Sequence, residues 1–226
     1  MALKSLLDTE SANPYFRPPP LKISVLKMID SPKVISWDFS TATVKPAVTK
    51  FNKTAVLSDG QPCTKVTLFQ QFAEKIKEGF TYIMRGHTIR GSNPPYFLYI
   101  TERTMFFRTT PMTVSEQLHQ QAEALLCPRS PLTPLHECHT SEGLITLEGK
   151  VVEVLPVKKI RLDGDHIVPL KKVKLQQGSD SVDLCLWREA ALEHLHAGQK
   201  ITVTHVKATH ANLQSTIHTS FKKPET

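Results

Sequence analysis

Long apolar runs are missing from this sequence: none approaches the ~20 residues that a membrane-spanning helix needs. The first twenty residues, MALKSLLDTESANPYFRPPP, also lack an apolar core long enough for a secretory signal. Cysteine is sparse, with Cys63, Cys127, Cys138 and Cys185 widely scattered, which excludes a disulfide framework and fits a reducing compartment. A soluble intracellular protein with no membrane partner is therefore expected. No basic cluster is dense enough to act as an import signal, so a nuclear address rests on function, with the cytoplasm as its alternative.

Catalytic signatures are missing too. There is no Walker-type glycine loop, no Gly-x-Ser-x-Gly and no His-Glu-x-x-His, so the chain is not expected to be an enzyme. Cys127, His136, Cys138 and His139 are metal-ligand types, but they lack the paired short spacings of a tetrahedral zinc site. The acidic pair Asp163 and Asp165 flanks Gly164 in a turn. No metal and no cofactor are expected.

Positive charge is present and unevenly placed. The net charge is +7, and residues 1–110 carry 15 Lys/Arg against 8 Asp/Glu, while residues 111–226 carry 13 of each. All the excess lies in the first half, which suits a polyanionic partner there.

One pattern occurs twice. Lys65-Val-Thr-Leu-Phe69 alternates and ends in a large aromatic, and Asp183-Leu-Cys-Leu-Trp187 does the same; a short amphipathic helix and a glycine follow each. Around the first copy, strands are predicted over 21–36, 43–57, 64–69, 80–89 and 96–107, with a helix over 70–77. Around the second they are predicted over 144–162, 166–175, 181–187, 200–209 and 212–221, with a helix over 188–196. Five strands with one helix after the third is the order of the OB-fold, a partly open Greek-key barrel that binds oligonucleotides or oligosaccharides. The predicted class is all-β with short helices, as two tandem OB-fold barrels joined by a helical, proline-rich linker. A single sandwich of nine or ten strands is the alternative, but it leaves the linker and the repeated helix without a role.

The expected organisation is a flexible lead-in (1–20), a first barrel (21–110), a linker with a short helix whose apolar face is Val114, Leu118, Ala122 and Leu125 (111–142), a second barrel (143–221) and a tail (222–226). The lead-in assignment rests on its polar character and on Arg17-Pro18-Pro19-Pro20, which cannot join a ladder.

Side chains on a strand alternate between faces. Val66 and Leu68 belong inside the first barrel, leaving Phe69 outward beside Lys65 and Thr67. Val182, Leu184 and Leu186 belong inside the second, leaving Trp187 outward beside Asp183 and Cys185. Tyr96, Phe97 and Tyr99 follow the loop between the fourth and fifth strands, and Arg85, His87, Arg90 and Arg103 approach it. Aromatics interleaved with cations are what a single nucleic-acid strand needs, because bases stack and phosphates are neutralised.

At these residues the chain resembles the tandem DNA-binding OB-folds of the large subunit of replication protein A, over roughly Leu21 to Phe221. The resemblance implies base clamping by Phe69 with Tyr96 or Phe97 in the first barrel and by Trp187 in the second. Where the second clamp's partner ring would stand, this chain has Ala211-Asn212-Leu213. Nothing resembles that family's protein-recruiting or zinc-bearing domains.

The expected function is sequence-independent binding of single-stranded DNA, with RNA as the alternative polymer, mainly through the first barrel. Stacking falls to Phe69, Tyr96, Phe97, Trp187 and Trp37, and phosphate contact to Lys65, Arg85, Arg90, Arg103, Lys171 and Lys172. The rival reading is a docking module for protein partners in a DNA-maintenance complex, and a sugar-binding barrel is a third.

Overall fold

The computed structural model describes residues 3–8, 17–41, 43–209, 212–216 and 218–222. Two compact units emerge: residues 1–33 with 50–127, and residues 34–49 with 128–226.

The first unit begins with a short helix, α1 (Leu3–Asp8). This differs from the expected flexible lead-in. Leu3, Leu6 and Leu7 recur at helical spacing and are buried in the barrel core. The helix is tied at both ends: the Leu3 N–H donates to the Asp59 carboxylate (2.6 Å), and the Leu7 carbonyl accepts from the Tyr96 N–H (2.7 Å). Residues 9–16 of the expected lead-in lie outside the described residues.

The strands that follow are β1 (Leu21–Asp38), β2 (Lys45–Ser58), β3 (Cys63–Leu68), β4 (Thr81–Arg85), β5 (Thr88–Arg90), β6 (Phe97–Tyr99) and β7 (Met105–Arg108). They make a sheet ordered β3-β2-β1-β4-β7 plus a β5-β6 hairpin, and β6 runs beside β3. The pairs β4–β7 and β5–β6 form one long hairpin interrupted by a bulge. At that bulge, φ of Gly86 is +69°, and a Cβ there would lie 2.5 Å from the Arg103 carbonyl oxygen, so only glycine fits.

The core holds Ile23, Val25, Leu57, Val66, Leu68, Met84, Leu98 and Ile100, as strand parity requires. Between β3 and β4 the expected helix is reduced to a 3₁₀ turn, Gln70–Phe72, which inserts Phe72; Ile76 joins the same core.

The connector after β7 is less loose than expected. Helix α2 (Glu116–Leu126) is capped by Ser115, whose hydroxyl accepts from the Leu118 N–H (3.4 Å). It packs Leu118, Ala122 and Leu126 onto Leu26, Val56 and Cys63, the outer face of the first barrel. Leu125, expected on the apolar face, is 39% exposed, because Leu126 takes the inward position.

The second unit contains β8 (Leu144–Val154), β9 (Lys158–Arg161), β10 (Ile167–Gln177), β11 (Asp180–Trp187), β12 (Lys200–Ala208), β13 (Leu213–Ser215) and β14 (Phe221–Lys222). β8 pairs with both β10 and β12, β10 with β11, and β12 with β13. β11 meets β13 in parallel through Leu184↔Leu213, closing the barrel. β9 continues the first strand and pairs with the start of β10. This is the OB-fold connectivity, and the chain carries it twice.

The expected helix over 188–196 is a 3₁₀ turn, Arg188–Leu192. The backbone of Glu193 is extended, and its carbonyl accepts from Lys171 Nζ (2.6 Å) instead of continuing a helix. Residues 128–142 also pack: Leu135 and Cys138 are buried in the second core, and the Thr133 N–H donates to the Thr146 carbonyl (2.8 Å). Most consequential is the far end of the β1–β2 hairpin. Val34–Thr49, expected in the first barrel, belongs to the second unit.

Candidate nucleic-acid interface

β6 gives the candidate face its shape. Leu98 points into the core, so Phe97 and Tyr99 both point out. Across the hairpin Arg90 stands opposite Phe97 and Thr88 opposite Tyr99, so all four share one face. The Arg90 guanidinium lies 3.9 Å from the Tyr99 ring centroid, a cation–π contact. Phe69, at the end of β3, meets Tyr99 edge to face, with centroids 5.9 Å apart and planes at 63°. Three strand ends thus supply a joined Phe69–Tyr99–Arg90 group with Phe97 beside it. Phe97 is 67% exposed.

Another exposed ring, on the opposite strand parity from Phe69, was missed by sequence reading. Phe51 on β2 is 65% exposed, and its N–H donates to the Gln70 side chain (3.0 Å), while the Gln70 N–H donates to Asn52 Oδ1 (3.1 Å). This reciprocal pair holds Phe51 next to the end of β3, and exposed Lys50 precedes it. The available signal was a lone phenylalanine between two lysines, Lys50 and Lys53, in a strand otherwise read for its apolar end.

Several expected site residues are placed differently. Tyr96 is 7% exposed: it shares inward parity with Leu98 and Ile100, and its backbone is bound to α1, so its ring is not offered to a ligand. Lys65 is exposed, but its register partner Val56 lies under α2, so it stands at the covered end of the β2–β3 face. Arg85 points outward from the β4–β7 pair, opposite Met105 and 5.8 Å from the Phe107 ring, across the bulge from the Arg90 group. Arg103 is exposed in the bulge. Of the four cations expected at the first barrel, Arg90 is the one that joins the aromatic group.

His87, at the same bulge, is 1% exposed with both ring nitrogens unpartnered, and burial lowers its pKa to about 4. It is a neutral core residue and not a phosphate contact.

In the second unit, Trp187 is half-buried and Trp37 is 8% exposed, so neither presents an open ring face. They share an apolar cluster with Val34 and Val168, packed around by Phe39, Val44, Ile160, Leu162 and Leu192. Lys171 is buried, its ammonium is held by the Glu193 carbonyl, and burial pushes its pKa down, so it cannot serve a phosphate. Lys172, on the opposite face of β10, is exposed. Ala211, in the expected position of the missing clamp ring, lies outside the described residues, as does His210.

The chain matches no protein-family profile and no curated protein. Among solved structures it is similar to a murine DNA-binding protein bound with double-stranded DNA (16% identity, 92% of this chain and 98% of that one, TM-score 0.42). It is likewise similar to a replication protein A heterotrimer bound to single-stranded DNA (16% identity, 93% and 50%, TM-score 0.42). The second OB-fold domain of replication protein A from Methanococcus maripaludis is a shorter match (23% identity, 37% and 85%, TM-score 0.31).

Proposed function

We propose that this protein binds single-stranded nucleic acid, DNA first, through the outer face of its first barrel, and that it is a binding protein with no chemistry of its own. The reading places its work with nuclear DNA, alongside other maintenance proteins. One observation carries it: Phe69, Phe97 and Tyr99 gather at one end of the barrel face with Arg90 already stacked on Tyr99. Exposing Phe97 by about two thirds has no folding benefit, whereas base stacking on such rings contributes about 1–3 kcal/mol per base. The net charge of +7, all from the first half, neutralises phosphates nearby. Stacking and backbone neutralisation read no base edges, so binding would be largely indifferent to sequence.

Fluorescence anisotropy with labelled 30-mers of single-stranded DNA, the same RNA and the DNA duplex tests this over a salt series. The expected result is single-strand affinity of about micromolar or tighter at low salt, falling as salt rises. Equal affinity for duplex, or no binding at low salt, would refute it.

A further inference from the structure

In an OB-fold the ligand groove lies over the second and third strands, beside the loop joining strands one and two. In the second barrel that region is bounded by the β9–β10 hairpin and by Trp187 at the end of β11. It is filled from within the chain. The tip of the β1–β2 hairpin lays Trp37, Phe39 and Val44 against Ile160, Val168 and Trp187. Lys159 Nζ lies 4.9 Å from the Phe39 ring centroid. A flat ring between apolar side chains with a lysine above it is the arrangement in which a base and its phosphate would be held.

Two features mark this packing as replaceable. The indole N–H groups of Trp37 and Trp187 are both buried with no acceptor. Buried polar groups are nearly always paired, so two adjacent exceptions point to a site whose acceptor is elsewhere. A base carbonyl or a phosphate oxygen entering the groove would satisfy the Trp187 indole, and water would satisfy that of Trp37 on the withdrawn tip. The tip is also internally tied: the Asp38 carboxylate accepts from the Ser40 N–H (2.8 Å) and Oγ (2.6 Å) and sits 3.6 Å from Lys45 Nζ. Those bonds do not depend on the barrel and survive if the tip leaves.

We propose that the second barrel holds a further site for single-stranded nucleic acid, centred on Trp187 and masked by the β1–β2 hairpin tip acting as an internal stand-in for the ligand. The ligand class rests on the reading given for the first barrel. Binding there then requires the tip to withdraw.

The chain contains two tryptophans, and both lie in this cluster, so excitation at 295 nm reads it alone. In Trp37→Phe, emission comes from Trp187. Titration with a dT 30-mer should quench it and shift it, at higher concentration than the anisotropy change reporting the first barrel. A paired variant, Trp37→Ala with Phe39→Ser, removes the mask. Placed in a Phe97→Ala, Arg90→Ala background that weakens the first site, it should raise affinity for the 30-mer about tenfold or more, as expected when the masked groove is open for less than about a tenth of the time. No change in Trp187 emission up to saturation, or no gain in the unmasked variant while circular dichroism shows it folded, overturns the masked site. If the unmasked variant does not fold, the Trp187 titration decides alone. Failure of the first reading is distinct, since the wild type would then show no anisotropy change at concentrations where the unmasked variant can still bind.

Discussion

Adjacent residues Tyr96 and Phe97 should behave as opposites, and the contrast tests the placement of the interface. Tyr96 is 7% exposed on the same strand parity as Leu98 and Ile100, whereas Phe97 is 67% exposed beside Arg90. Truncating a buried aromatic costs about 3–5 kcal/mol. In a chain of this size each kcal/mol lowers Tm by roughly 2–4 °C, so Tyr96→Ala should lower the melting temperature by roughly 6–20 °C. Its affinity at low temperature, where it stays folded, should be unchanged within about twofold, because no ring face is lost from the surface.

Phe97→Ala removes little buried area, and exposed substitutions of this kind shift stability by about 0.5 kcal/mol or less. It removes one stacking surface, which is worth about 1–3 kcal/mol and hence about 5- to 150-fold in Kd. Calorimetry and anisotropy on both variants give the four numbers. The reasoning is refuted if Phe97→Ala melts early with normal affinity, or if Tyr96→Ala loses affinity at an unchanged Tm.

Arg90→Ala should weaken single-strand binding about five- to tenfold and reduce the slope of log K against log salt by about 0.7, one phosphate's worth for a single strand; an unchanged slope would remove Arg90 from the interface. His87 contributes to pH dependence with a definite sign. Its pKa falls from 6.5 to about 4 on folding, so the unfolded chain takes the proton first, and stability is lost as pH drops from 6.5 toward 4. The two-and-a-half-unit gap corresponds to roughly 3 kcal/mol. Urea melts of His87→Leu should show that much less variation across this window than the wild type, and equal variation would refute the assignment. Leu3→Asp places a charge where the leucine is fully buried, and should cost several kcal/mol, seen as early melting of the first barrel; a normal melt would mean α1 is not part of its core.

Much of the fold was legible because it follows from local alternation. Val66 and Leu68 inward, and Val182, Leu184 and Leu186 inward, are consequences of strand geometry that need no partner. The same parity, applied to Tyr96 with Leu98 and Ile100, separates Tyr96 from Phe97; motif resemblance pulled it the other way. The spacing of Leu3, Leu6 and Leu7 also signals a helix, but six residues among prolines and polar groups look like a tail until a barrel end is there to bury them.

Both post-strand helices are reduced to 3₁₀ turns, and just after the second the Glu193 carbonyl accepts from Lys171. The covering of Trp187 was out of reach. It depends on Val34, Trp37 and Phe39 meeting a strand some 150 residues later, and no local pattern encodes that register. The same holds for Arg90 on Tyr99, where the cation had to be chosen among four candidates by the hairpin pairing.

The claim that the first barrel's aromatic face holds the strand is tested most directly by photocrosslinking. A thymidine 30-mer carrying 5-iodouracil at scattered positions would be irradiated with the wild-type protein and the adducts mapped by mass spectrometry. The account predicts adducts at Phe69, Phe97 or Tyr99 that disappear under excess unlabelled single strand and persist under excess duplex. Adducts confined to residues outside the first barrel, or competed equally by duplex, would contradict it.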